Sequence, residues 1–217
     1  MSDTNSLIRK ILQRAPFLRA TQALKAIASV DRGLFVPKSF SGDPYDTTVV
    51  QLDGYSLSEP SLVAYMVHVL DLKSTDRVLD VGCGSGYHAA VMSRLCEAVF
   101  GMDILPHVLE RARESLRLSG CDNVQLSLGD GWEGWTAEAP YDAINVACAA
   151  ECVPVQLVSQ LKVGGRMVIP VAMNEGSSEH HWQNLLLIER TGTIDKKPQY
   201  RETILETVRF MLMKHVG

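Results

Sequence analysis

The spacing Asp80-x-Gly82-x-Gly84-x-Gly86 constrains the fold more than any other stretch of this chain. It follows a short apolar run at 77–81 and precedes a helical pattern at 86–95. Glycines recur there because a sharp strand-to-helix turn demands φ > 0, and because bare backbone lets a ligand approach closely. Strand, glycine turn and helix together open a βαβ unit, which calls for a parallel sheet with helices on its faces.

The rest of the chain continues that alternation. Strands are expected at 98–102, Val124–Leu128, 141–147 and 165–171, with helices at Pro106–Leu118 and 154–161. Two further apolar runs, 184–188 and 207–213, have no apolar helix between them, so they are expected to close the sheet as a hairpin-like pair. The fold class is therefore α/β, a doubly wound, mostly parallel sheet of seven strands. Residues 1–73 read as mostly helical, with a break at 41–44. Leu7, Ile8, Ile11 and Leu12 have helical spacing, as do Ala23, Leu24, Ile27 and Ala28. Ser58 and Pro60 read as a helix start, ahead of Leu62, Val63, Met66, Val69 and Leu70. A single domain over 1–217 is expected, with a helical, substrate-side segment at 1–73 and a cofactor-binding core at 74–217.

Composition narrows the function. The 217 residues carry a net charge of −4, which weighs against a large nucleic-acid footprint. The longest apolar runs are too short to cross a bilayer, and the N-terminus lacks a secretory signal. Arg9, Lys10, Arg14 and Arg19 fit an amphipathic surface helix or, more faintly, a mitochondrial presequence. The five cysteines, Cys83, Cys96, Cys121, Cys148 and Cys152, form no CxxC pair. They read as buried thiols of a reducing compartment, so a cytoplasmic protein without a metal is expected, and a monomer because no apolar patch stands out.

Two glycine-loop chemistries compete. A dinucleotide site wants GxGxxG, but its third glycine position here is Tyr87. The observed GxGxG spacing resembles class I methyltransferases, which use S-adenosyl-L-methionine and release S-adenosyl-L-homocysteine. Asp103, about twenty residues on at the end of the second strand of the core, can accept hydrogen bonds from two ribose hydroxyls. Asp130, after the third, is placed to meet an adenine amino group. The alternative for both is a helix cap.

Three more segments sharpen the resemblance. Residues 128–135 (Leu-Gly-Asp-Gly-Trp-Glu-Gly-Trp), 139–144 and 161–171, together with Tyr45-Asp46 and the run 54–60 (Gly-Tyr-Ser-Leu-Ser-Glu-Pro), resemble the protein-L-isoaspartate O-methyltransferase family. The resemblance covers about residues 20–190 and implies a Rossmann-like methyltransferase fold. It also implies methylation of the α-carboxylate of isoaspartyl residues in proteins or peptides, followed by collapse to a succinimide that reopens as aspartate. By the same resemblance Ser58 is the active-site serine. Ser56, Leu57, Ser58, Asp80, Gly82, Cys83, Gly84, Ser85, Gly86, Asp103, Ile104, Gly129 and Asp130 form the cofactor site.

A sparse site suffices for such chemistry. A carboxylate is already ionised near pH 7 and needs no general base, so alignment is the main contribution. Ser58 can hold one carboxylate oxygen while the other attacks, or it can simply cap the helix at Pro60. The chain departs from the family at Ser56 for Thr, Cys83 for Thr and Asp103 for Glu. Glu59 puts a negative charge beside a carboxylate site. Residues 209–213 read Arg-Phe-Met-Leu-Met, where the family has Arg-aromatic-Val-Pro-Leu. These departures keep two alternatives open: another carboxylate acceptor, such as an aspartate in a tailored peptide, or a cofactor-binding adaptor without turnover. His180-His181-Trp182 reads as solvated loop rather than metal site, and Cys148, Cys152 and His88 as non-catalytic. Trp132 and Trp135 suit either ligand stacking or packing.

Overall fold

The computed structural model describes residues 3–52, 54–173 and 182–215. The expectation for His180 and His181 lies outside them. Two helices, α1 (Thr4–Arg14) and α2 (Gln22–Ala28), lead to a small antiparallel hairpin, β1 (Val50–Gln51) and β2 (Ser56–Leu57), then to α3 (Pro60–Leu70). The core alternates β3 (Arg77–Val81), α4 (Tyr87–Met92), β4 (Ala98–Asp103), α5 (Pro106–Leu118), β5 (Val124–Leu128), β6 (Tyr141–Val146), α6 (Val155–Gln160) and β7 (Leu161–Ala172). It ends in two long strands, β8 (Gln183–Ile194) and β9 (Lys197–Val208).

The seven-stranded sheet has the order β5-β4-β3-β6-β7-β8-β9. Strands β3 to β7 pair in parallel, while β8 and β9 run antiparallel to their neighbours. The chain steps outward from β3 through β4 to β5, then returns to build the other side from β6. The order thus reverses between β3 and β6, where open α/β sheets leave a crevice beyond the strands' carboxyl ends.

Period-two alternation divides the core between the two faces. Val78, Val99, Ala143 and Val168 join the cluster containing Leu7, Ile11, Ile27 and Met66 from the N-terminal helices. Leu79, Phe100, Ile144 and Met167 join the opposite cluster with Leu157 and Val158 of α6. Each fully buried Leu, Ile or Val contributes about 1.5–3 kcal/mol. Helix α5 buries Val108, Leu109, Ala112, Ser115 and Leu116, a stripe at helical spacing.

Three expectations need correction. Strand β7 starts at Leu161 rather than 165, with Gly164 at φ 84 inside it. The pairing with β6 shifts register there, so an irregularity in the ladder accommodates residues 162–164 ahead of the expected start. The last strand is Lys197–Val208, not 207–213. Its outer residues are charged and largely exposed, so it lacks the apolar signal by which the eye finds strands. Residues beyond 208 instead leave the sheet and cross the strand ends: Met213 N–H donates to Ala149 O at 2.7 Å, and Ala149 N–H to Met211 O at 2.8 Å. Third, α3 is capped by Glu59, whose carboxylate accepts from Leu62 N–H at 2.8 Å, and not by Ser58. With Pro60 at the first position, Ser58 sits one residue too early to reach the N–H groups of that turn.

Candidate active site

A pocket opens at the switch point. Its walls include Ser56, Gly82, Gly84, Asp103, Ile104 and Gly129 of the expected set, along with Tyr55, Cys148 and the segment Met211, Leu212, Met213 and Lys214. A smaller hollow adjoins it, lined by Ser56, Leu57, Ser58, Gly82, Cys83, Gly84 and Ser85, with His88 and Tyr87. An open groove of about 530 Å³ lies on the other side of Ser56 and Ser58, reaching Glu59, Arg209 and Lys214.

The glycine loop builds the floor. Gly82 (φ 71) and Gly84 (φ 53) have conformations that other residues adopt at a cost of about 1–2 kcal/mol. A Cβ at Gly82 would stand 3.0 Å from Cys148 Sγ. Gly86 faces away: its Cβ would press on Leu116 of α5 at 3.2 Å, so it serves helix packing. Asp103 ties the loop to the next strand end. Its Oδ2 accepts from Gly84 N–H and its Oδ1 from Leu105 N–H, each at 3.0 Å. The first helical residue of α5 is Pro106, and its cap, Leu105, makes no side-chain cap bond, so Asp103 is no helix cap. Each carboxylate oxygen keeps a lone pair for a hydroxyl.

Asp130 is placed differently. Its Oδ1 accepts from Trp132 N–H at 2.9 Å in a tight turn, and no α-helix begins there. Its Oδ2 lies 3.3 Å from His215 Nδ1, and the His215 ring stacks on Trp132 with centroids 5.2 Å apart. The C-terminal segment thus covers the carboxylate expected to meet an amino group. Trp135 meets Phe100 edge-on, and both tryptophans pack against the core cluster on that face.

Asp80 lies beneath the loop, fully buried. Asn145 Nδ2 donates to Asp80 Oδ1 at 2.7 Å and lies 3.2 Å from His88 Nδ1. Asp80 Oδ2 and His88 Nε2 are buried without a protein partner. Burial pushes the Asp80 carboxyl up to about 7, Asn145's hydrogen bond opposing and the Asp103 charge adding. Burial holds His88 down at about 4, with Arg32 contributing. The Cys148 thiol is pushed up by burial and by Asp103 and Asp80, which disfavours the thiolate a nucleophile needs.

Sequence reasoning missed Arg32. This fully buried guanidinium donates from Nη2 to Ser58 O and from Nε to Pro44 O, both at 2.9 Å, and lies over the Tyr87 ring. It fixes the backbone that presents Ser58, and nothing local in the sequence marks it. The charge of Glu59 is also answered, although it lines the groove: its carboxylate accepts from Ser61 Oγ and pairs with Arg14 Nη1 at 3.4 Å. Among the described residues no cluster could hold a metal ion and no helix is long and apolar enough to cross a membrane.

The pocket suits a nucleoside with a charged tail. Glycine backbone gives it room, and the Asp103 carboxylate on the pocket wall has lone pairs free to accept from hydroxyls, while Asp80 lies buried behind the loop. Fold and site define a Rossmann-like methyltransferase that uses S-adenosyl-L-methionine. Residues 2–212 match the family model described as protein-L-isoaspartate(D-aspartate) O-methyltransferase, and the chain belongs to that family. It is 40% identical over 197 residues to the Myxococcus xanthus protein-L-isoaspartate O-methyltransferase, covering 90% of each chain. It is also 40% identical to the Vibrio campbellii protein of that name, covering 88% of this chain and 86% of the other. A solved structure named protein-L-isoaspartate O-methyltransferase superposes with TM-score 0.80 at 27% identity, covering 96% of this chain and 65% of that longer one. A Plasmodium falciparum structure described by the same activity, in complex with S-adenosyl-L-homocysteine, shares the fold with TM-score 0.76 at 22% identity, covering 99% of each chain.

Proposed function

We propose that this chain methylates the α-carboxylate of L-isoaspartyl residues in damaged proteins or peptides, opening their repair through a succinimide. The observation that carries the proposal is the position of Ser58. It lines the hollow beside the glycine loop and also the open groove, so an acceptor bound in the groove meets the cofactor site at that residue. Bound S-adenosyl-L-methionine supplies an electrophilic methyl group. Gly82, Cys83, Gly84 and Ser85, with Ser56 and Leu57, face its methionine side, while Asp103, Ile104 and Gly129 hold the nucleoside. Asp80 and Gly86 act from behind, by supporting the loop. Asp130 reaches the adenine end once its contact with His215 opens.

The chain's own work is placement. Ser58 holds one carboxylate oxygen, Arg32 fixes Ser58 from behind, and Lys214 gives the groove a positive charge to draw in an anion. The chain acts as a cytoplasmic monomer, without nucleic acid. Its five free cysteines, three of them buried, suit a reducing compartment. The test is repeated turnover on an isoaspartyl peptide with excess methyl donor, followed chromatographically. Gradual appearance of the aspartyl peptide supports repair. An ester that accumulates only on the aspartyl form would assign the enzyme to tailoring instead.

A further inference from the structure

A second hollow of about 530 Å³ continues the groove past Glu59, Leu62 and Arg209, residues common to both. Its walls carry Phe17, Tyr65 and Trp182. Phe17 and Tyr65 meet edge-to-face with centroids 5.6 Å apart, and the Arg209 guanidinium lies 5.3 Å from the centre of the Trp182 ring. Phe17 is 60% exposed and Trp182 56%, far beyond what aromatic residues keep open when they serve packing alone. Val49 and Met211, also largely exposed, line the groove next to Ser58. Exposed apolar side chains therefore line both the groove at Ser58 and the adjoining hollow that holds Trp182.

The charges of the second hollow cancel. Arg14 answers Glu59 at 3.4 Å, and Arg209 and Glu206 stand on the same wall. Burial, with the nearby Glu59, shifts the Glu206 carboxyl upward. A neutral rim around aromatic walls favours an apolar guest over an ion.

We propose that this hollow is a subsite for a large apolar side chain of the substrate, aromatic or branched aliphatic, that flanks the isoaspartyl residue on one side. The proposal rests on the acceptor sitting at Ser58. It gives the enzyme a means to prefer damaged segments whose apolar residues have become exposed, since a folded protein rarely offers such a side chain beside an open carboxylate. The guest contributes to binding and not to methyl transfer, because it is remote from the reacting oxygen.

The test is a set of isoaspartyl peptides, identical except for one Trp or Leu in place of Gly at each position up to three residues on either side. KM and kcat are measured for the wild type and for Phe17→Ser and Trp182→Ser, both surface changes, with S-adenosyl-L-homocysteine affinity as the control for folding. The expected result is about tenfold lower KM for an apolar residue at one favoured position, with kcat unchanged. Both variants lose that advantage while treating the all-Gly peptide as the wild type does. Equal KM across the set, or an advantage that survives in both variants, overturns the subsite. Absence of methyl transfer to every isoaspartyl peptide overturns the placement at Ser58 and the subsite with it.

Discussion

Asp103 links two parts of the site with one carboxylate, and its removal has a defined cost. Asp103→Ala takes away two bonds to backbone N–H groups and, on the proposed placement, the acceptors for ribose. It is expected to weaken S-adenosyl-L-homocysteine binding by about 1–3 kcal/mol in calorimetry. Unchanged affinity would remove Asp103 from the nucleoside site. Ser58→Ala is expected to lower kcat about 10- to 100-fold with little effect on cofactor affinity, since alignment is the role proposed for the hydroxyl. Asp80 gives a pH signature. Its carboxyl ordinarily titrates near 3.8 and is raised to about 7 in the folded chain, so its contribution to stability is fully present below about pH 4 and lost as the pH rises to 7. The Asp80→Asn variant should therefore gain stability relative to wild type between pH 5 and pH 8 in urea melts. A pH-independent difference would contradict the buried carboxyl. His88 acts in the opposite direction, its share being lost as the pH falls from 6.5 toward 4. Asp103 was legible because strand length and the glycine loop fix its place locally. The burial of Asp80 was not, because its partners Asn145 and His88 are brought in by the sheet.

Elements carry a different set of constraints. The glycine loop, α4 and α5 form one unit: Gly86 at φ 85 lets the loop press on Ala112 and Leu116. Gly86→Ala is expected to cost about 1–3 kcal/mol of stability in denaturant melts, from the strained conformation and the displaced Leu116. No loss would mean that the turn relaxes freely. At the far edge, Asp195 (φ 49) and Lys196 (φ 62) join β8 to β9 in a two-residue turn whose conformation favours glycine. Lys196→Gly is expected to raise stability by up to about 1 kcal/mol in the same melts, and a decrease would contradict that turn geometry. The alternation of β3 to β7 with helices was readable because each element announces its own period. Strand β9 was not, because an edge strand keeps polar residues on its open side. Nor was the path of residues 209–215. Their apolar pattern suits a strand, but two bonds to Ala149 lay them over the strand ends, where they line the pocket. Arg32 was silent for the same reason, since its value lies in reaching Ser58, 26 residues away.

At the scale of the whole molecule, the sheet's reversal between β3 and β6 places the crevice in which the pocket opens. The floor of the cofactor half follows from the doubly wound sheet and its glycine loop, with Tyr55, Ser56 and residues 211–214 completing the walls. The acceptor half is assembled from α3, the β1–β2 hairpin and the last residues of the chain, segments that meet only in the folded state. That division explains why the cofactor was readable from the glycine spacing taken with Asp103, Gly129 and Asp130, while the groove beside Ser58 was not readable from sequence. The central claim is that this groove selects an isoaspartyl carboxylate. The most direct test gives the purified chain a radiolabelled methyl donor and two peptides that differ only in isoaspartate against aspartate. Base-labile label on the isoaspartyl peptide alone is the predicted result. Equal labelling of both peptides, or of neither while S-adenosyl-L-homocysteine still binds, would contradict it.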